Sequence, residues 1–76
     1  MTRRLSEMKV GETATVDRVA ESGQSCRRIM EMGLIPGTAL DLQRIAPLGD
    51  PIWIKLKGYQ LSLRKEEAAN VYVREG

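Results

Sequence analysis

The 76-residue sequence predicts a mostly β fold, a small five-stranded barrel with one short helix. Three observations carry that reading. Five stretches are rich in alternating apolar and polar residues, the period of a half-buried strand. Gly, Pro and Asp punctuate them at short intervals. One stretch, 21–33, switches to a helical period instead. The length makes a single domain, 1–76. A chain this short buries roughly 60% of the surface its unfolded form exposes, so its core is thin. With no Phe, one Trp and two Tyr, that core must be built from Leu, Ile, Val, Met and Ala.

In chain order, "LSEMKVGE" (5–12) has Leu5, Met8 and Val10 as anchors and Gly11 as a stop, and reads as a short helical turn running into a turn. "TATVDRVA" (13–20) is the first strand, with Ala14 and Val16 inward. "ESGQSCRRIMEMG" (21–33) is the helix. Ser22 is its expected N-cap, and Cys26, Ile29 and Met30 share one face. Gly33 fits the left-handed position past the helix end, which folds Leu34 back over Ile29. "IPGT" (35–38) places Pro36 and Gly37 at the centre of a type II turn.

"ALDLQRIA" (39–46) is the second strand and "PLGDP" (47–51) a loop. "IWIKLK" (52–57) is the third strand, with Ile52, Ile54 and Leu56 on one side and Trp53, Lys55 and Lys57 on the other. "GY" (58–59) turns. "QLSLR" (60–64) returns with Leu61 and Leu63 inward, "KEEAAN" (65–70) is one helical turn, and "VYVR" (71–74) closes with Val71 and Val73 inward. Closing into a small barrel removes most of the exposed edge of strands this short. A partly open SH3-like barrel is expected, with a helix after the first strand and a helical turn before the last. An OB-type barrel is the alternative, because strand counting leaves the connectivity open.

Composition narrows the function classes. Twelve basic against ten acidic residues do not demand a nucleic-acid partner. The single cysteine forms no internal disulfide, the start "MTRRLSEMKVGE" lacks the apolar stretch of a signal peptide, and no run is long enough to span a membrane. A cytoplasmic protein is the expectation. An enzyme is not: there is no His to serve as imidazole base and no glycine-rich phosphate loop. Cys26 is expected buried and inert, and Asp50 a turn residue. Glu66 and Glu67 read as a solvated pair, and Met30 as part of the core pattern. No cofactor and no resident metal are expected.

Beyond these features, "RRIMEMGLIPGTALDLQRIAPLGDPIWIKLKGYQLSLRKEEAANVYV" resembles the ferrous iron transport protein A family, FeoA. The shared elements are Arg27–Arg28, "MGLIPG" (32–37), "APLGDP" (46–51), "LSLRKEEA" (61–68) and "VYV" (71–73), and the likeness runs from about Leu5 to Val73. It implies an SH3-like fold and a cytoplasmic accessory protein of ferrous iron uptake. The implied partner is the FeoB-type membrane transporter with its cytoplasmic GTP-binding domain. A related domain ends iron- and manganese-dependent repressors, and the stand-alone form is expected here. A small nucleic-acid-binding or repressor-like barrel is the alternative. Leu48 and the outward Trp53 are the expected partner contacts, with Arg27 and Arg28 supplying charge at the rim. Against an arginine-finger role acting on the partner's nucleotide, the preferred reading of Arg27 and Arg28 is as solvated helix arginines facing Glu31.

Overall fold

The computed structural model describes residues 2–20 and 23–75. It contains six antiparallel strands: β1 (Thr2–Arg4), β2 (Thr13–Val19), β3 (Ala39–Ile45), β4 (Ile52–Leu56), β5 (Tyr59–Leu63) and β6 (Val71–Arg74). Helix α1 (Gly23–Glu31) follows β2, and the single turn α2 (Lys65–Ala68) precedes β6. The strand order is β1-β6-β2-β3-β4-β5, so β1 and β5 stand at the two edges of one sheet. The mostly β reading holds, with one strand more than expected. β1, "TRR", has no apolar alternation to announce it and becomes a strand only by pairing with β6, Arg3 opposite Val73. One-residue bulges at Asp17 in β2 and Gln43 in β3 increase the local twist and bend the sheet round its core.

The core is aliphatic as composition requires. Val16, Leu40, Leu42, Ile54, Leu56, Leu63, Val71 and Val73 line its sheet side, and Leu5, Ile29, Leu34 and Ala68 close it. Ala14 and Val16 alternate inward on β2 as expected, and so do Ile52, Ile54 and Leu56 on β4. Leu5 and Met8 anchor a 3-10 turn (Leu5–Glu7). Val10 does not join them: it lies in the turn before Gly11 and is exposed.

The helix stop is the expected one in full. Leu34 N–H donates to Ile29 O and Gly33 N–H to Met30 O, the paired bonds of a Schellman end, with Gly33 at φ +105°. Thr38 N–H then donates to Ile35 O across Pro36 and Gly37, closing the tight turn. The expected N-cap, Ser22, lies outside the described residues. Of Cys26, Ile29 and Met30, Ile29 alone is fully buried. Cys26 is half-buried and Met30 exposed, which corrects both expectations. The helix meets the core along a narrow line at Ile29, so Cys26, one turn before it, and Met30, the next residue, fall on its flanks. The β4–β5 turn sits one residue earlier than expected. Lys57 and Gly58 both have positive φ, as a two-residue hairpin requires, and Tyr59 already belongs to β5.

Candidate functional site

The "APLGDP" loop is the end of the β3–β4 hairpin. Ala46 N–H donates to Pro51 O at 3.0 Å, and Gly49 N–H to Ala46 O at 2.7 Å. This tight return leaves the Leu48 side chain nothing to pack on, and Leu48 is 96% exposed. It is therefore a free apolar tip rather than a lid on the core. Asp50 serves as more than a turn residue: its Oδ1 accepts the Lys65 N–H at 3.0 Å, tying the loop to the start of α2.

Trp53 faces away from the core, as the alternation predicts, and is half-buried. It stands in a cross-strand row between Arg44 of β3 and Ser62 of β5. The Arg44 guanidinium lies over the indole, 5.0 Å from its centre, and supplies the cover. Counting along the sequence alone misses Arg44, because the bulge at Gln43 shifts the register by one.

Arg27 and Arg28 are both exposed on α1, but they do different things. Arg28 reaches Glu67 of α2, Nη1 to Oε2, at 3.6 Å. Glu67 is buried, which corrects its reading as part of a solvated pair; Glu66 beside it is exposed. The other Glu67 oxygen, Oε1, accepts the Arg64 N–H at 3.0 Å and so caps α2. Arg28, Asp50, Pro51, Ser62, Arg64 and Glu67 line one open cleft. The structure thus brings Arg28 to the base of the Leu48 loop, with Ser62, the cross-strand neighbour of Trp53, on the same wall. Arg27 is not among the residues lining it.

Among the described residues, no three His, Cys, Asp or Glu side chains come together as a metal-binding group. No helix there is long and apolar enough to cross a membrane. Cys26 Sγ lies 3.8 Å from Met30 Sδ on the flank of α1.

A family model described as the FeoA domain matches residues 3–75. A Porphyromonas gingivalis protein, described as an Fe(2+) transport protein A/Fe(2+) transporter FeoB fusion protein, is 40% identical over 70 residues. The alignment takes in 92% of this chain but only 8% of that protein's length. The solution structure of a FeoA-like protein from Clostridium acetobutylicum superposes with a TM-score of 0.91 at 36% identity, covering 97% of this chain and 86% of that one. The zinc complex of FeoA from Stenotrophomonas maltophilia, described as an SH3 domain protein, gives 0.84 at 26% identity, covering 95% and 89%. The fold is therefore SH3-like rather than of the OB type.

Proposed function

The chain belongs to the FeoA family, which is linked to ferrous iron transport, and we propose that it acts there as a cytoplasmic interaction module for a FeoB-type transporter. The observation that supports this best is the fused relative, in which an A portion and a FeoB transporter share one chain. Fusion raises the effective concentration of two modules for each other, which is useful when the modules engage directly. The proposed docking surface is the β3–β4 hairpin end with its neighbouring outer face. Burying a fully exposed Leu against a partner contributes about 1.5–3 kcal/mol, enough to anchor a transient contact. Trp53 adds a half-covered aromatic, and Arg28 and Arg64 at the cleft add positive charge beside it.

The test is binding to the isolated cytoplasmic GTP-binding domain of a FeoB-type transporter. Leu48→Asp and Trp53→Ala, each checked for folding, are expected to weaken it by about tenfold or more. Wild-type affinity in both variants would place the docking surface elsewhere. The module is also proposed to have no nucleotide hydrolysis of its own. Turnover of GTP or ATP by a contaminant-free preparation would refute that.

A further inference from the structure

A second outer-surface feature lies on the opposite half of the sheet from Leu48 and Trp53. Tyr72 of β6 has Arg4 of β1 as its cross-strand neighbour on one side and Arg18 of β2 on the other. The Arg18 guanidinium is 4.0 Å from the ring centre and that of Arg4 is 5.9 Å. The ring is half-buried between them, and both arginines are exposed. Their neighbours are otherwise engaged. Arg74 pairs with Asp17 at 3.3 Å, Arg3 pairs with Glu12 at 3.2 Å, and the Glu7 carboxylate accepts the Arg4 backbone N–H at 2.7 Å.

From this row we infer a docking site for an acidic, extended segment of a protein partner, gripped by Arg4 and Arg18 across Tyr72. A guanidinium held over a ring is positioned by its face, while its N–H donors radiate in its own plane. Those edges are suited to bidentate carboxylate binding. The two groups are no more than about two strand spacings, ~10 Å, apart. Alternate side chains of an extended segment lie about 7 Å apart on one face, and flexible Glu side chains span the difference. Single-stranded nucleic acid fits less well. It binds by stacking bases on open rings, and here arginines flank the ring on both sides.

The probe is a capped hexapeptide alternating Glu and Ser, titrated at low salt into the isotope-labelled protein and followed by backbone amide NMR. Shifts are expected at Arg4, Arg18, Tyr72 and their strand neighbours. Arg18→Gln and Arg4→Gln should each weaken binding by about tenfold, the loss of a charge-assisted contact. Tyr72→Phe should keep the affinity, whereas Tyr72→Leu, which keeps both charges but removes the platform, should lower it. A peptide alternating Gln and Ser should not bind. The inference is overturned if shifts are absent from the row, or if the arginine variants bind as wild type. It is overturned equally if oligothymidylate or phosphatidylserine vesicles engage the row more tightly than the acidic peptide.

Discussion

At Gly33 two independent constraints fall on one residue. Its φ of +105° penalises any side chain, and a Cβ there would collide with the Tyr59 hydroxyl. That hydroxyl donates to Met32 O at 2.6 Å, satisfying a carbonyl at the helix end from a residue 27 positions away. Gly33→Ala should therefore cost about 2–3 kcal/mol, the sum of left-handed strain and a lost hydrogen bond, and Gly33→Val more. Gly37→Ala is the control: its φ is +93° but nothing lies within 4 Å of its added Cβ, so about 1–2 kcal/mol is expected. Thermal unfolding separates the two, since each kcal/mol moves Tm by about 4–8 °C in a domain of this size. Equal losses would mean that Tyr59 yields without cost. Glu12 makes a residue-scale prediction about pH. The Lys9 backbone N–H, at 2.6 Å, and then Arg3 hold its carboxyl below the ordinary value of 4.5. A lowered folded value adds stability above the ordinary one, and that stability is lost as pH falls from 4.5 through the folded value. Glu12→Gln should flatten this part of the acid-unfolding profile, measured by urea denaturation from neutral to acid pH. An unchanged profile would show that the contact persists in the unfolded chain.

At the scale of elements, α2 is the instructive case. Four residues are too few to hold a helix by propensity alone. It is held instead by Glu67 on the Arg64 N–H, by Asp50 on the Lys65 N–H, and by the burial of Ala68. Glu67→Ala is expected to cost about 1–2 kcal/mol through the lost cap. Arg28→Ala should cost less than about 1 kcal/mol, because the Arg28 side chain is 70% exposed and solvent screens its ion pair. Chemical denaturation of the two variants checks the order. A larger loss from Arg28→Ala would mean that the α1–α2 bridge, rather than the cap, holds the turn.

Over the whole molecule, several acidic groups are turned toward the backbone. Glu7, Glu12, Asp50 and Glu67 each accept a backbone N–H. Arg4, Arg18 and Arg44 lie on aromatic rings at the sheet surface, whereas Arg3, Arg28 and Arg74 are paired with carboxylates. With Arg28 and Arg64 at the proposed docking cleft, association with the proposed transporter partner is expected to slow as salt is added, by loss of electrostatic steering. Leu48→Asp should act mainly on the dissociation rate and leave Tm unchanged, because a side chain 96% exposed has no part in the core. Binding kinetics at low and high salt check both. An association rate indifferent to salt would remove charge from the docking account.

The sequence by itself determined what rests on neighbours along the chain. Period-two alternation placed Ile52, Ile54 and Leu56 inward and Trp53 outward. The Gly33 stop and the Pro36-Gly37 turn were legible because each is set by the φ that one residue tolerates. The Pro and Gly beside Leu48 marked the loop apex, but they left open whether its side chain is a free tip or a lid, and the structure decided for the free tip. Only the tertiary structure decided the rest. β1 is a strand because β6 pairs with it, Glu67 is buried where it caps α2 and meets Arg28 of α1, and Trp53 and Tyr72 acquire their arginines through strand register and bulges. These contacts join residues far apart in sequence. A one-residue register shift flips every side chain on a strand to the other face, so such pairings depend on a packing that no local pattern records.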